Sequence, residues 1–567
     1  MIAWLVVAVV VVFLVAYRVY GRFLARHVGL DDSHPTPAQR INDGVDYIPT
    51  PSGLLLGQHF SAIAAAGPIV GPVLAGLTYG WLPTLLWVVL GAIFIGGVHD
   101  FMSLIASVRH EASSIGEIVK THMSRTSYIL FLLFVWLCLI YVIVAFTDVT
   151  AQTFKTVSGG EAYWPGVAAS SVLYLLAGLV MGVLLYKFKT RLWLTTLVFV
   201  PLVLFIVWLG PNLPASVLGA LASVSGKQWD VILLVYCFVA SVIPMWLLLQ
   251  PRGYLGGWLL YLTLGTCLVG VLSGRFGVNY APVVDQGPGG LFGGLLPMMP
   301  FLFITVACGA CSGFHGIVAS GTTSKQLARE TDARRIGYGA MLLEGLVAVL
   351  ALATVMALAP GDVAAAKKEG PNMVYAGGIA SYLGMFGLPH KVGMGFALLA
   401  FSTFVYDTLD VCTRLARYIF QELTGLKGRV GGFAATAVTL AIPLAFLLLI
   451  QREQAWRVAW NIFGASNQLL ASLTLMAIAV WLAHRGKRNL FVVIPMVFMM
   501  AMALWSLVIQ SWPFWEGAAD YLSGGPGVVG DTVVVGTAGT ILLALSLWLV
   551  AEAARTILRS RAVAPGS

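Results

Sequence analysis

The sequence predicts an all-α polytopic membrane protein with about fifteen transmembrane helices and a core of two inverted five-helix repeats that contain broken helices. Of its 567 residues, 59% are hydrophobic and only 10% are charged, and the mean hydropathy is +0.89. A soluble domain carries roughly 25% charged residues. Apolar stretches of about 20 residues, the length that crosses a bilayer, follow one another along the whole chain.

Each stretch is expected to form one transmembrane helix, with ends uncertain by a few residues. The predicted spans are 2–23, 52–79, 82–108, 127–153, 164–186, 190–210, 228–250, 255–275, 295–318, 335–358, 392–413, 430–450, 458–483, 489–511 and 534–557. The opening segment has no basic start and no small-residue cleavage site, so it is predicted to be a membrane helix and not a removed signal peptide.

The formal charge of +9 reflects membrane topology and not nucleic-acid binding. Lys and Arg are concentrated in the loops that follow odd-numbered spans. The positive-inside rule therefore predicts an external N-terminus and a cytoplasmic C-terminus.

Two segments look like helices broken inside the membrane. The first, residues 57–76, contains Gly67-Pro68 and Gly71-Pro72, and the second, residues 239–257, contains Pro244, Pro251 and Gly253. Transporters place such breaks at matching positions of two inverted halves. Counting five spans from each break divides the chain as follows: an N-terminal helix and linker (1–51), a first repeat (52–215), a second repeat (228–425) and four accessory helices (430–567).

A third segment is unusually polar for a membrane span. Residues 308–326 read CGACSGFHGIVASGTTSKQ, with four glycines, a histidine and several hydroxyls. Such groups weaken a helix and need partners, so the run is expected to face a wet central site or to pack closely on the first break. The CxxC formed by Cys308 and Cys311 is interpreted as small-residue packing and not as a redox or metal site.

Four blocks together resemble the carbon starvation protein A family. They are NDGVDYIPTPSGLLLGQHFSAIAAAGPIVGPVLAG, CGACSGFHGIVASGTTSKQLARETDARRIGYGAMLLEG, TLDVCTRLARYIFQEL and NIFGASNQLLASL, spread over roughly residues 40–475. The chain departs from the family pattern at Gln58, usually a histidine, and at Gly253, usually an acidic residue. These departures put any proton or charge role of those two positions in doubt.

The resemblance implies a bacterial cytoplasmic-membrane importer that is induced when carbon is short. It implies uptake of pyruvate or of peptides driven by the proton gradient, and a LeuT-like five-plus-five core of the amino acid-polyamine-organocation superfamily.

The first break could bind a small carboxylate, because a half-helix N-terminus presents free N–H groups and partial positive charge. A proline kink that only shapes packing is the alternative. Arg252 could hold the same carboxylate or simply anchor a helix end at the cytoplasmic interface. The substrate-binding candidates are Gly57, Gln58, His59, Ala66, Gly67, Pro68, Gly71 and Arg252.

Coupling requires a group that binds H⁺ or Na⁺. An imidazole can relay protons near neutral pH or only join two helices. Hydroxyls can hold Na⁺ or bond to their own helix. Asp148 has no basic neighbour in its span and is the lone-carboxylate candidate. The coupling candidates are His59, Asp148, His315, Ser320, Thr322 and Thr323.

Carboxylates inside spans are functional hypotheses because burying an unpaired charge is costly. Asp407 and Asp410 lie one helical turn apart, and Arg414 follows on the same face, so the three form either a structural ion-pair network or a gate. Glu344 also lies within a span, whereas Asp100 is placed nearer the cytoplasmic end.

No hydrolase, zinc-protease or phosphate-loop motif occurs in the sequence, so we expect no enzyme activity, metal or cofactor. The sequence predicts a proton-coupled (or Na⁺-coupled) importer of pyruvate, with a short-peptide importer as the alternative. A membrane-embedded metabolite sensor and a channel remain open. Membrane lipid is the only other expected partner, and the oligomeric state is not predicted.

Overall fold

The computed structural model describes residues 1–43, 47–64, 66–155, 157–158, 161–162, 164–244, 246–285, 297–450, 454–523 and 530–562. These residues are almost entirely helical, and the all-α membrane architecture is confirmed. The helices of the first half are α1 (Ile2–Val28), α2 (Pro37–Ile41), α3 (Ser52–Ile63), α4 (Gly67–Tyr79), α5 (Trp81–Gly91), α6 (Gly97–Val108), α7 (Ile115–His122), α8 (Arg125–Thr153), α9 (Trp164–Tyr186), α10 (Leu192–Leu209), α11 (Ala215–Ser223), α12 (Gly226–Val242) and α13 (Leu249–Leu272).

The second half continues the same pattern, beginning after the stretch that is not described. Its helices are α14 (Met298–Thr305), α15 (Gly313–Val318), α16 (Gly339–Met356), α17 (Val363–Glu369), α18 (Pro371–Gly384), α19 (His390–Thr424), α20 (Gly428–Leu449), α21 (Trp456–His484), α22 (Leu490–Leu522) and α23 (Asp531–Ala562). Two residues each form β1 (Val157–Ser158) and β2 (Glu161–Ala162), which pair as a small antiparallel hairpin. π-Helical turns continue three spans (Ala92–Gly96, Ala319–Thr323 and Arg334–Tyr338), and 3₁₀ turns lie at Gly210–Asn212, Glu330–Asp332 and Pro360–Asp362.

Twelve described helices are long and apolar enough to cross a membrane, and two bent pairs raise the number to 14. Every one of the fifteen predicted spans contains helix. The predicted span 295–318 is not one continuous helix. It consists of α14 and α15, which are separated by residues 306–312 and are each too short to cross a membrane alone.

The first break falls just before the prolines that predicted it. The axes of α3 and α4 differ by 49°. Pro68 occupies the first turn of α4, where its missing N–H costs no hydrogen bond, and Pro72 is accommodated within the same helix. α3 therefore ends at Ile63 and α4 begins at Gly67, so the interruption precedes both prolines.

The segment that faces this break is 306–312, not the predicted second break. A Cβ on Gly67 would lie 2.5 Å from Cys308 Sγ, and one on Gly71 would lie 2.6 Å from the Thr305 carbonyl oxygen. The predicted break at 239–257 does exist, since α12 ends at Val242 and α13 begins at Leu249, but it contacts other helices. Sequence counting chose it because its prolines are conspicuous, whereas the break at 306–312 contains glycines and no proline.

Loops that were predicted to share a membrane face do meet in space. On one face, Arg109 pairs with Glu330 and the His27 ring contacts the Arg488 carbonyl oxygen. On the other, the Leu82 N–H donates to the carbonyl of Pro282. These contacts agree with the alternation of spans. The assignment of the first face to the cytoplasm rests on the charge distribution and stays a prediction.

Two parts of the fold differ from the sequence prediction. The predicted outer loop 359–391 contains α17 and α18, and α18 packs on α4, α16 and α19. The sequence prediction counts α21 among the four accessory C-terminal helices. In the structure its apolar segment is buried throughout, against α8, α15 and α6 among others.

Candidate proton-coupling and substrate site

A chain of four ionisable side chains lies at the centre of the molecule. His99 Nδ1 lies 2.8 Å from Asp100 Oδ1, and Asp100 Oδ2 lies 2.9 Å from His315 Nδ1. His315 Nε2 lies 3.2 Å from Glu344 Oε2. All four side chains have no exposed surface. The chain links α6, α15 and α16, and we call these four residues the histidine-carboxylate cluster.

The geometry of the cluster requires protons. The His315–Asp100 contact needs a hydrogen on the imidazole, or on the carboxyl, because two lone pairs would repel each other. The His315–Glu344 contact is close but lacks the alignment of a hydrogen bond, and neither atom has another partner in the described part of the chain. This second contact is therefore the weaker of the two links that His315 makes to carboxylates.

The cluster is joined directly to the backbone of residues 306–312, the break between α14 and α15, which we call the second break from here on. Glu344 Oε1 accepts a hydrogen bond of 3.2 Å from the N–H of Gly309. Gly309 has a φ of +65°, and a Cβ there would lie 2.8 Å from the Ala348 Cβ atom. Glycine is thus required both by the left-handed conformation and by the close approach of α16. Glu344 is thus hydrogen-bonded directly to the segment 306–312.

His59 lies beside the cluster and joins the two broken regions. Its Nδ1 is 2.9 Å from Thr323 Oγ1, and its Nε2 has no partner among the described residues. Two other predicted ligands turn away: Ser320 Oγ donates to the Gly316 carbonyl and Thr322 Oγ1 donates to the Val318 carbonyl. Of these three hydroxyls, only that of Thr323 contacts His59.

The N-terminus of α4 is closed by protein. The N–H groups of Ile69 and Val70 both donate to the carbonyl of Ala66, and Pro68 has no N–H. Gly67, the first residue of α4, packs against Cys308. Of the predicted substrate residues, Ala66, Gly67, Pro68 and Gly71 are therefore brought together, tightly packed against the second break.

The neighbouring residues of α3 face different ways. A Cβ on Gly57 would lie 2.8 Å from the Tyr261 hydroxyl of α13, whereas Gln58 is exposed. Since His59 is buried and Gln58 is not, the departure from the family pattern at Gln58 leaves the histidine-carboxylate cluster unaltered. A Cβ on Gly253 would meet no atom within 4 Å.

Asn467 of α21 fixes the second break from the opposite side. Its Oδ1 accepts from the Phe314 N–H at 3.0 Å, and its Nδ2 donates to Ser312 Oγ at 3.0 Å. The amide thus satisfies polar groups freed where α15 begins. A weak signal for this role is present in the sequence, as the amide of Asn467 in the block NIFGASNQLLASL.

A second buried network surrounds Arg252, at the start of α13. Its Nη2 lies 2.8 Å from Asp407 Oδ1, and its Nη1 lies 2.8 Å from Asp410 Oδ2. The Tyr236 hydroxyl donates to Asp410 Oδ2 at 3.0 Å and also contacts the guanidinium group. Arg252 was a candidate for the substrate carboxylate, and in this structure both its charged edges are occupied by protein carboxylates. We call these residues the arginine network.

The sequence suggested that Arg414 joins Asp407 and Asp410 along α19. Among the described residues it forms no ion pair with either. Its Nη2 donates to the carbonyls of Ala240 and Ile243 at 2.7 and 2.8 Å, where α12 ends. The network of Asp407 and Asp410 therefore runs between helices, because a buried helix end with free carbonyls claims the nearest arginine.

Asp148 lies near the C-terminal end of α8. Its Oδ2 accepts from the Trp456 N–H at 2.6 Å, at the start of α21, and its Oδ1 accepts from Gln152 Nε2 at 3.1 Å. The carboxylate thus lies at the N-terminus of α21, where negative charge is stabilised. The structure does not bring Asp148 to the histidine-carboxylate cluster.

Sequence reasoning missed His99 and set Asp100 aside as lying near a helix end. Both lie in the middle of the buried region, at the start of α6. The available signal was an adjacent His-Asp pair inside a predicted span, where two ionisable groups are costly without partners.

The family model for carbon starvation protein CstA matches residues 1–369 and 359–506. This chain belongs to the carbon starvation protein CstA family. The match covers the helices that carry both breaks, the histidine-carboxylate cluster, the arginine network and Asn467.

Individual relatives agree with this assignment. The chain is 33% identical to the peptide transporter CstA of Escherichia coli K12, over 91% of this chain and 81% of that protein. It is 32% identical to the pyruvate/proton symporter BtsT of the same organism, over 89% and 81%. The peptide transporter CstA of Helicobacter pylori J99 is 31% identical, over 90% and 82%.

Among solved structures, a manganese transporter from Eremococcus coleocola aligns with 91% of this chain and 99% of its own. The TM-score is 0.48 and the identity 13%.

Proposed function

We propose that this protein is a secondary active transporter that imports a small carboxylate, pyruvate first, by proton symport across a bacterial cytoplasmic membrane when carbon is scarce. The observation that carries the proposal is the histidine-carboxylate cluster, bonded through Glu344 to the backbone of a helix break. A relative named as a pyruvate/proton symporter supports the same assignment.

The donor set favours a proton over Na⁺ as the coupling ion. Sodium needs several oxygen ligands that converge on one point. Ser320 and Thr322 instead donate to carbonyls of their own helix, and Thr323 contacts an imidazole. The central cluster alternates imidazole and carboxylate groups that contact one another in sequence, and imidazole exchanges protons near neutral pH.

The two facing breaks supply the moving parts. Each break places short half-helices at membrane depth. Gly67 and Gly71 of the first break pack directly on the second, so a movement of one break would displace the other. We place the start of the second five-helix unit at Met298, because α14–α15 faces α3–α4, and the unit then ends with α21. Loss or gain of a proton at Glu344 would shift residues 306–312 and expose the space between the breaks to alternate sides.

A peptide is the second candidate cargo. Relatives named as peptide transporters favour it. The close packing of the breaks favours the smaller molecule, because Gly67 meets Cys308 and Gly71 meets a backbone carbonyl with no space for a Cβ. A carboxylate of three carbons requires less rearrangement than a dipeptide.

The experiment is uptake of labelled pyruvate into proteoliposomes with an imposed pH gradient or Na⁺ gradient, and with unlabelled pyruvate and dipeptides as competitors. Accumulation driven by the pH gradient and blocked by pyruvate is expected. Dipeptide accumulation without pyruvate uptake would transfer the proposal to peptides. Binding of either compound without accumulation would identify a sensor, and uptake insensitive to both gradients would identify a channel.

The proposal also fixes an orientation, with the N-terminus outside and the C-terminus in the cytoplasm. Single cysteines introduced at exposed positions of the two ends, and labelled in intact cells by a membrane-impermeant maleimide, test it. Because the native cysteines are buried, their contribution to labelling should be small. Labelling of the C-terminal end alone would contradict the orientation.

A further inference from the structure

The last turns of α1 carry three arginines on the face that points away from the core. Arg18, Arg22 and Arg26 are exposed and follow one another at four-residue spacing, so they form one row along the helix. Val19 and Phe23 lie beside this row and are 66% and 47% exposed. A groove on this surface is lined by Arg18, Val19, Arg22, Phe23, Arg26 and His27.

No carboxylate of the described chain lies within ion-pair distance of these three guanidinium groups. Arg109, by contrast, pairs with Glu330 only a short distance along the same face of the protein. Val19 and Phe23 are exposed beside these arginines, so this side of the helix presents both charge and apolar surface. The combination of unpaired cations and exposed apolar side chains indicates a ligand with both an anionic and an apolar part.

A second basic segment, distant in sequence, packs beside the groove. The His27 ring contacts the Arg488 carbonyl oxygen at 2.8 Å, and the His27 and Phe491 rings lie 4.9 Å apart, edge to face. Phe23 also contacts Phe491. Arg485, Lys487 and Arg488 are exposed in this connection between α21 and α22. Two separate chain segments thus bring positive charge to one aromatic-lined place.

The depth of the row matches the boundary of the hydrocarbon. Along α1, the distance from Ile2 to Arg18 is about 24 Å at 1.5 Å per residue, close to the roughly 30 Å of a hydrocarbon core. Val11, Val12, Leu14 and Val15, which precede the row, are all exposed on the same helix. An arginine at position 18 would extend toward the headgroups while these residues contact acyl chains.

From this arrangement we infer that α1 and the 485–491 segment form a binding site for the headgroup of an anionic phospholipid. The guanidinium groups would bind phosphate oxygens in pairs, and the acyl chains would lie along the exposed apolar face of α1. Anionic lipids are enriched at the cytoplasmic leaflet, which is where the charge distribution places this end of α1. The inference is independent of the transported substrate.

Native mass spectrometry of the purified full chain would test the site, by comparing the binding of phosphatidylglycerol with that of phosphatidylcholine. The test variant is Arg18→Gln/Arg22→Gln/Arg26→Gln. The control is Lys187→Gln/Lys189→Gln/Arg191→Gln, which removes the same charge from an exposed loop of the same predicted face. Each basic residue near an anionic lipid contributes about fivefold in affinity. The test variant should therefore lose on the order of tenfold or more of the preference, and the control almost none.

Equal loss in both variants would overturn the inference, because it would show that overall charge decides lipid binding. Displacement of phosphatidylglycerol by millimolar inorganic phosphate would also overturn it and identify a site for the free anion. Thermal unfolding of the test variant should match that of the unaltered protein, since the three arginines are exposed. Pyruvate uptake in phosphatidylcholine vesicles separates a failure of this inference from a failure of the transport proposal.

Discussion

The histidine-carboxylate cluster and the arginine network are both buried groups of charges inside membrane spans, yet their chemistry differs. The first contains two imidazoles and two carboxylates, and its His315–Glu344 contact is close but poorly aligned. The second pairs a guanidinium group with two carboxylates at 2.8 Å and adds a tyrosine hydroxyl. Arginine stays protonated in proteins, whereas histidine exchanges protons near neutral pH.

The comparison separates two uses of buried charge. A guanidinium with both edges occupied is a fixed connection between α13 and α19, and it changes only if the helices part. An imidazole between two carboxylates can change its charge in place. The cluster that is bonded to a helix break is the second kind, and the symport we propose would use that bond to link a proton to backbone position.

The largest expected effect is on stability, in the arginine network. Replacing Arg252 with Met leaves Asp407 and Asp410 buried without their cation, and removing one partner of a buried ion pair costs about 3–5 kcal/mol. Thermal unfolding in detergent should show a large fall in the midpoint temperature. The compensated variant Arg252→Met/Asp407→Asn/Asp410→Asn should recover most of it. An unchanged midpoint temperature for Arg252→Met would show that the arginine network does not stabilise the packing of α13 on α19.

The next effect should fall on coupling, in the histidine-carboxylate cluster. His315→Gln keeps a polar side chain but cannot carry the proton, so uptake driven by a pH gradient should fall roughly 100-fold, the size expected when a proton carrier is removed. Exchange of labelled for unlabelled pyruvate should persist, because it requires no net proton movement. Unchanged accumulation in a folded His315→Gln protein would place the coupling proton elsewhere.

A smaller effect is expected where the cluster meets the break. Gly309→Ala forces a Cβ into a left-handed conformation and against Ala348, at a cost of about 1–3 kcal/mol. Gly321→Ala is the matched control in the same run, since its Cβ would meet no atom within 4 Å. Thermal unfolding and uptake should both separate the two variants. Equal behaviour would show that the conformation at residue 309 is not constrained.

The smallest effect concerns a histidine pair outside the spans. His110 Nε2 lies 2.7 Å from His122 Nε2, and burial lowers the pKa of His122 to about 4. The unfolded chain binds this proton below pH 6.5 and the folded chain does not, so the protein should lose stability as pH falls from about 6.5 to 4. His122→Gln should reduce that loss in thermal unfolding. If uptake driven by a pH gradient also changes in His122→Gln, the separation between this histidine pair and the histidine-carboxylate cluster is wrong.

The sequence alone was sufficient for the membrane class, the approximate spans and the family. Apolar stretches of membrane length are a local property, because lipid imposes the same requirement on every spanning residue. His315, His59 and the run 308–326 were also recognisable, since polar groups in a span need a reason. The prediction of an all-helical membrane protein is confirmed for this reason.

Only the tertiary structure decided which of these groups meet. Asp100, His315 and Glu344 come from three separate helices, and no spacing along the chain predicts their contacts. The break at 306–312 faces the break between α3 and α4, although the more conspicuous prolines lie near residue 244. Arg252, and not Arg414, pairs with Asp407 and Asp410, because the Arg414 guanidinium group donates to carbonyls at the end of α12. Burial makes every charge find a partner, but the packing of helices determines which partner is within reach.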